Sequence, residues 1–202
     1  MIRLTQEGGL WIATIDRPDK ANSLTAPMLE ELCRIAEDAL TGARCLVLTG
    51  AGKVFSAGAD LEAAKAGLAV SPLWERLSGA IVRHPGLTIC AMNGTVAGGA
   101  MGMALACDLR ISVPGAKVFY PVMKLGFLPQ PSDPTRLAAL VGPARAKMIL
   151  MAGQKVTVEE AVAWGLVDRV VDGDVLDAAR VLAADTLGAE AAHARAIKGL
   201  IG

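Results

Sequence analysis

Aromatic side chains are scarce in this sequence, and its charges cancel. The 202 residues include only three Phe, three Trp and one Tyr, and 20 Lys and Arg balance 20 Asp and Glu. Proteins that bind nucleic acids rely on a basic surface, and single-strand binders add aromatic side chains on which bases stack. No basic stripe with interleaved aromatic residues occurs here, so nucleic-acid binding is not expected.

Long apolar runs, paired cysteines and clustered histidines are missing as well. No uncharged apolar run of about 18 residues occurs, so no membrane span is predicted, and the N-terminus lacks the pattern of a signal peptide. The four cysteines show no CxxC spacing and stand in apolar surroundings, which favours buried thiols in a reducing, cytoplasmic compartment. His84 and His193 lie far apart, so no metal site is expected.

The apolar residues that are present alternate between strand-like and helix-like segments. At 202 residues and 53% hydrophobic, the chain is long enough for one substantial core and short for two domains. Strands are predicted at 10–18, 45–50 and 87–94, two short strands within 109–120, and helices at 23–40, 71–84, 135–140, 143–151, 158–164 and 174–187. Runs such as CLVLTG (45–50) have no polar alternation, which is typical of strands covered on both faces. This order predicts an α/β fold with a largely parallel sheet.

One stretch, NGTVAGGAMGMALACD (93–108), combines a strand end, four glycines and a helix. Peptide N–H groups at a helix N-terminus have no intrahelical partner, and glycine lets a ligand approach the backbone closely. The stretch therefore fits either an anion or oxyanion site or tight packing of a helix on a sheet. It does not match the dinucleotide motif GxGxxG, and TGAGKVFS (49–56) has the wrong spacing for a phosphate loop.

A second segment, VFSAGADLEAA (54–64), again runs from a strand through small residues into a helix. Two segments that each offer backbone N–H groups are what an oxyanion hole with two donors requires. The pair favours chemistry in which a carbonyl oxygen gains negative charge.

Six motifs in this order resemble the crotonase, or enoyl-CoA hydratase/isomerase, superfamily. They are RPDKANSL (17–24), FSAGADL (55–61), NGTVAGGAMGMALACDLRIS (93–112), LGFLP (125–129), TRLAALVG (135–142) and AVAWGLVDRVV (161–171). The resemblance covers nearly the whole chain. It implies a crotonase-like right-handed spiral of ββα units with a shortened helical C-terminus, with residues 1–170 as the core and 171–202 as a C-terminal helical segment.

The resemblance also assigns roles to residues. It implies an acyl-CoA thioester as the substrate, with coenzyme A entering as part of it and no separate cofactor. The thioester oxygen is expected to bind the N–H groups of Ala57 and Gly99, with Gly98 beside them. Further positions are expected to line the substrate site: Lys20, Ala21, Ala59, Asp60, Leu61, Gly102 and Val122. Family members are usually trimers or pairs of trimers, so a homotrimer or dimer of trimers is expected.

Two positions depart from the hydratase pattern. Hydratases of this family carry a glutamate three residues after the oxyanion-hole glycine and another in a Pro-Glu pair, where this chain has Gly102 and Val122. A positioned acid or base contributes about 10²–10⁴-fold to a rate. The usual hydration is therefore not expected, and isomerase, decarboxylase or hydrolase chemistry is. The alternative is a catalytically degenerate family member that binds acyl-CoA or a protein.

Asp133, in PQPSDPTRL (129–137), is the leading replacement acid or base. The competing interpretation is that Ser132 or Asp133 only caps the following helix. Lys124 is expected to be exposed, and Tyr120 either donates a hydrogen bond in the site or packs. Relatives usually continue beyond the position of 196–202 with further helices, so the C-terminal segment is expected to be short.

Overall fold

Two β-sheets form the framework of the computed structural model, which describes residues 1–201. The larger sheet has the strand order β1-β2-β3-β5-β7-β10 and is parallel except for β1, and the smaller has the order β4-β6-β8-β9 and is parallel except for β9. The strands are β1 Ile2–Glu7, β2 Leu10–Ile15, β3 Cys45–Gly50, β4 Val54–Ser56, β5 Leu87–Met92, β6 Thr95–Ala97, β7 Leu109–Ser112, β8 Lys117–Phe119, β9 Val156–Thr157 and β10 Arg169–Val170.

Ten α-helices connect and cover these strands within residues 1–201. They are α1 Ala26–Gly42, α2 Leu61–Lys65, α3 Leu73–Val82, α4 Ala100–Ala106, α5 Val122–Leu125, α6 Asp133–Val141, α7 Pro143–Leu150, α8 Val158–Ala163, α9 Val175–Gly188 and α10 Ala191–Ile201. Short 3-10 turns lie at Pro18–Lys20 and Leu68–Val70. The predicted helices are all present, most of them shifted by a few residues at their ends.

A strand–strand–helix unit recurs three times in the chain. In the pairs β3–β4, β5–β6 and β7–β8, the first strand joins the larger sheet and the second joins the smaller one, and a helix follows each pair. Each unit therefore advances one position along both sheets. This arrangement confirms the predicted α/β class and brings the ends of β4, β6 and β8 side by side.

The core lies on both faces of the larger sheet. All six residues of β3 are buried, as its unbroken apolar run predicts. On one face β3 packs on the main core with α1, α3 and α4, and on the other it packs on a smaller cluster that includes Val175, Ala179 and Ala183 of α9. Helix α9, the second-last helix of the described residues, thus packs into a shared core with the sheet.

Some elements were not predicted. The strand β6 stands between Asn93 and the pair Gly98–Gly99, where the sequence favoured a direct passage into a helix. Helix α10 lies in the C-terminal segment that was predicted to be helical, but its bounds were not predicted. Within residues 1–201, no helix combines the length and hydropathy needed to cross a bilayer. No group of three or more His, Cys, Asp or Glu side chains in that range is arranged to hold a metal ion.

Candidate active site

A mostly apolar cavity of about 230 Å³ opens where the units of the spiral meet. Its lining comes from the ends of β4, β6 and β8 and from the segments that follow them. The residues are Ala57, Ala59, Leu61, Ala64, Ala69, Trp74, Gly98, Gly99, Tyr120, Pro121, Val122, Leu125, Phe127, Leu128 and Gln130. Most of the predicted site residues therefore meet at one place. Lys20, Ala21, Asp60, Gly102 and Asp133 lie outside this lining.

A larger cavity of about 580 Å³ lies elsewhere, between α10 and the sheet. Its charged groups include Lys198 and Asp108, which form an ion pair with an N–O distance of 2.7 Å. None of the predicted site residues lines it. The smaller cavity is the better candidate because it carries the motif residues.

Glycine is required where the two small-residue segments touch. Gly58 has φ +87°, and a Cβ at this position would lie 2.8 Å from the carbonyl oxygen of Ala97 and 3.0 Å from the nitrogen of Gly99. A side chain at Gly99 would meet the indole of Trp74 at 3.0 Å. The glycines therefore permit close contact of the two segments, as the packing interpretation of the stretch predicts.

The N–H group of Ala57 is not free to bind a substrate. It donates a hydrogen bond to the carbonyl oxygen of Ala21 at 3.0 Å, so the sequence-based assignment of this donor is wrong. The N–H of Ala59, two residues later, has no protein acceptor within residues 1–201, because Gly58 and Asp60 make the backbone bonds to Leu24 on either side. The N–H of Gly99 also lacks an acceptor in that range. Ala59 and Gly99 thus supply two open donors on the cavity wall.

Asp60 and its neighbours hold this segment in place. The Asp60 carboxylate accepts hydrogen bonds from Glu62 and Ala63 at the start of α2 and pairs with Arg17 at 2.9 Å. The hydrogen bond from Arg17 is the main cause that lowers the pKa of Asp60. Lys20 is exposed, and Ala21, with φ 49°, presents the carbonyl that Ala57 binds. These residues border the donor segment.

Asp133 occupies the space left by a missing side chain at Gly102. A Cβ on Gly102 would lie 2.9 Å from Asp133 Oδ1 and 3.2 Å from Oδ2. Asp133 is 1% exposed, and its Oδ2 accepts a hydrogen bond from the Tyr120 O–H at 3.0 Å. Its Oδ1 has no hydrogen-bond partner among residues 1–201. Burial raises the pKa of Asp133 to about 6. A carboxyl group thus lies beside α4, although it belongs to α6.

The capping interpretation of Ser132 and Asp133 is wrong. Helix α6 begins at Asp133, and its N-cap Ser132 makes no side-chain capping bond. Instead the N–H and the Oγ–H of Ser132 donate to the carboxylate of Glu75 on α3, at 3.0 and 2.6 Å. The Gln130 side chain donates to the carbonyl of Ala69 at 2.9 Å. The loop before α6 is therefore anchored on the segment around α3.

Sequence reasoning missed Trp74, Glu75 and Gln130 in this site. All three are residue types that are common in ordinary helices and loops. The sequence indicated only that Trp74 and Glu75 are neighbours on a predicted helix, which does not point to a site. Val122 is buried in the cavity wall, and Lys124 is exposed as predicted. In the lining as the structure describes it, Tyr120 is the only titratable side chain.

Comparison with known proteins identifies the family. The family model described as enoyl-CoA hydratase/isomerase matches residues 5–201. The carnitinyl-CoA dehydratase of Salmonella arizonae is 38% identical over 197 residues, which cover 90% of this chain and 72% of that protein. The 1,2-epoxyphenylacetyl-CoA isomerase of Escherichia coli is 33% identical over 189 residues, which cover 88% of this chain and 72% of that protein.

A solved structure agrees over the whole fold. The enoyl-CoA hydratase of Bacillus anthracis superposes with a TM-score of 0.89 at 29% identity, covering 99% of this chain and 81% of that one. The crotonase-type fold predicted from the motifs is therefore confirmed. Sequence, fold and site together show that this chain belongs to the enoyl-CoA hydratase/isomerase family of the crotonase superfamily.

Proposed function

We propose that this protein binds an acyl-CoA thioester and stabilises its enolate between the N–H groups of Ala59 and Gly99. The observation that carries the proposal is that both residues line one apolar cavity and neither N–H group has a protein acceptor within residues 1–201. Donors fixed in place before the reaction stabilise a developing oxyanion without reorganisation, and losing one donor costs about 10²–10³-fold in rate. The coenzyme A is part of the substrate, and no further cofactor is invoked.

The proposed reaction is an isomerase-type proton transfer. In the described part of the chain, no carboxylate lines the cavity, since Gly102 and Val122 stand where the family's hydratases carry glutamates. An enolate needs only removal and return of a proton, and Asp133 is a buried carboxyl group that contacts Tyr120 of the cavity lining. The relative from Escherichia coli, 1,2-epoxyphenylacetyl-CoA isomerase, is also named as an isomerase of a CoA thioester. Decarboxylation and thioester hydrolysis require a carboxylated acyl group and a bound water, respectively, and no feature of the cavity favours either.

The proposed substrate pose follows from the borders of the cavity. The acyl end lies against Gly98, Gly99 and Val122, and the coenzyme A portion runs past Leu61 and Ala59 towards Asp60, Ala21 and Lys20. Leu61 is 75% exposed at the mouth, where a long ligand must leave the protein. Family membership also leads us to propose a homotrimer or a dimer of trimers in the cytoplasm. Light scattering tests the assembly, and a monomer at working concentrations would contradict it.

The test is deuterium uptake at the thioester α-carbon of a panel of saturated and unsaturated acyl-CoA compounds in heavy water. Protein-dependent uptake is expected. The Gly99→Pro variant removes the N–H, and its φ of −59° is compatible with proline. The matched control is Gly99→Ala, which meets Trp74 with the same Cβ but keeps the N–H. We expect deuterium uptake to be about 10²–10³-fold slower with the Gly99→Pro variant than with the Gly99→Ala variant.

Two results would argue against the proposal. Equal rates in the two variants would remove Gly99 from the oxyanion site. Acyl-CoA binding without uptake or any change in mass would point to the alternative, a family member that binds acyl-CoA and does not turn it over.

A further inference from the structure

Tyr120 lies between the cavity and Asp133. Tyr120 lines the cavity, and its O–H donates to Asp133 Oδ2 at 3.0 Å, whereas Asp133 does not line the cavity itself. The N–H of Gln130 donates to the Tyr120 oxygen at 3.4 Å. A phenol oxygen has one donor and two acceptor positions. One acceptor position therefore remains open after the contacts with Asp133 and Gln130.

We propose that Tyr120 is the catalytic residue that exchanges protons with the substrate, with Asp133 behind it as the group that stores the proton. This inference rests on the proposed function, because it names the proton carrier for the same enolate. It follows from the lining of the cavity, in which Tyr120 is the only titratable side chain among the residues that the structure describes.

The step balances without any further reactant. The substrate C–H bond breaks and its proton bonds to the Tyr120 oxygen, while the original phenol proton moves to Asp133 Oδ2. The electron pair of the C–H bond becomes the C=C bond of the enolate, and the thioester oxygen takes up the negative charge. In the return step Tyr120 protonates the α- or γ-carbon and regains a proton from Asp133. The product is the starting thioester or its double-bond isomer.

The surroundings of Asp133 suit this storage role. Its pKa, raised to about 6 by burial, leaves it mostly ionised near neutral pH but ready to take a proton. The facing groups are Tyr120 and Arg136, which lower its pKa, and Glu75 of α3, which raises it, while Gly102 of α4 contributes no charge. Because no group in the described part of the chain donates a hydrogen bond to Oδ1, no structural contact at that oxygen lowers the basicity of the carboxylate. The phenol itself remains protonated, since burial raises its pKa.

The first test compares Tyr120→Phe and Asp133→Asn in the deuterium-uptake assay. Tyr120→Phe keeps the ring that packs in the wall and removes only the oxygen. We expect each variant to lose about 10²–10⁴-fold in exchange rate with little change in acyl-CoA binding, and the double variant to lose no more than either single one. Wild-type-like exchange in Tyr120→Phe, together with loss in Asp133→Asn, would overturn the relay in favour of direct contact by Asp133. No exchange by the wild type would overturn the proposed function itself.

A second measurement does not depend on the phenylalanine variant folding. Tyr120 is the only tyrosine in the sequence, so biosynthetic incorporation of 3-fluorotyrosine labels this one side chain. Its fluorine NMR signal is expected to shift on saturation with a substrate acyl-CoA and to titrate with Asp133 in the free protein. A signal that is unchanged by a ligand known to be bound would contradict contact between Tyr120 and the substrate.

Discussion

At the scale of single residues, the site depends on a side chain of α6 that fills a space beside α4. The backbone of α4 has no side chain at Gly102, and the carboxyl group of Asp133 from α6 fills the space. An acid placed in this way approaches the site from behind Tyr120 rather than directly. Asp133 is therefore coupled to Gly102 through packing and to Tyr120 through a hydrogen bond.

The coupling predicts the effect of Gly102→Ala. Alanine favours a helix by up to about 1 kcal/mol over glycine, but its Cβ would lie 2.9 Å from Asp133 Oδ1. We expect a net loss of about 1–3 kcal/mol in the free energy of unfolding. In an Asp133→Ala background the same change is expected to be neutral or stabilising, which urea unfolding of all four proteins measures. Equal effects in the two backgrounds would mean that the residues do not compete for space.

The burial of Asp133 predicts a pH-dependent cost. Its pKa rises from an ordinary 3.8 to about 6, so the folded protein binds this proton more tightly than the unfolded chain. The neutral carboxyl group therefore contributes its full stability below pH 3.8, the pKa of the unfolded chain. This contribution is lost as the pH rises through about 6, the pKa in the folded protein. Asp133→Asn mimics the neutral form. Between about pH 4 and pH 8, the stability of this variant relative to the wild type is expected to rise by about 2–3 kcal/mol.

Thermal and urea unfolding at both pH values provide the check. The comparison with the wild type cancels the contribution of the other carboxyl groups. A constant difference across the pH range would show that Asp133 titrates normally in the folded protein.

Six of the eleven residues that the sequence predicts for the site line the candidate cavity, while the donor assigned to Ala57 is occupied by another contact. The small-residue segments predicted two backbone donors, but consecutive N–H groups in a loop point in different directions. Only the contact with Ala21 reveals that Ala57 is occupied and Ala59 is open. The sequence singled out Asp133 as a candidate acid or base. It did not predict the contact with Tyr120, which lies 13 positions earlier in the chain and was expected either to donate a hydrogen bond or to pack.

At the scale of secondary-structure elements, α3 and α6 are joined across the site. Glu75 on α3 accepts two hydrogen bonds from Ser132 at the start of α6. After burial, which is the main cause, the negative charge of Glu75 also raises the pKa of Asp133. The contact between α3 and α6 therefore helps to position the proposed proton store, and Glu75 adds to the effect of burial on the pKa of Asp133.

The variant Glu75→Gln separates these two effects. Loss of the charge is expected to lower the pKa of Asp133, so the acid limb of the pH–rate profile moves to lower pH. Ser132→Ala is the matched control, because it removes the 2.6 Å hydrogen bond and leaves the charge in place. The limb is expected to stay unchanged in the control. A shift of the same size in both variants would assign the effect to geometry instead of charge.

Element prediction succeeded where the signal was local. β3 and β5 are continuous apolar runs, and α1 and α9 have regular apolar faces, so each was predictable from its own residues. The three residues of β6 form a strand because they pair with β4 and β8, which lie far away in the chain. Pairing of this kind has no local signature, which explains why β6 was not predicted.

At the scale of the whole molecule, one buried cation connects the last strand to the rest. Arg110 on β7 is 4% exposed and donates to the carbonyl groups of Leu166 and Cys107, at 3.0 and 2.7 Å. It also pairs with Asp168 at 3.1 Å, directly before β10. The planar guanidinium reaches these acceptors at once, which a single ammonium group cannot do.

Arg110→Lys is therefore expected to destabilise the protein although the charge is kept. Buried acceptors left without donors cost about 1–3 kcal/mol. Arg34→Lys is the control, since Arg34 is 56% exposed and an exposed ion pair contributes about 0–1 kcal/mol. Denaturant unfolding compares the two substitutions. Equal stability losses would show that the fork geometry of Arg110 is unimportant.

The burial of every cysteine has a practical consequence for enzymology. Cys33, Cys45, Cys90 and Cys107 are at most 4% exposed, and burial raises the pKa of Cys33 and Cys45 to about 11. Thiolates are the species that react with disulfide reagents, so the folded protein contributes little to a colorimetric thiol assay. Free coenzyme A released by thioester cleavage would be read directly against that low background. The same mixture that reports proton exchange by mass can therefore report hydrolysis by colour, without any change to the protein.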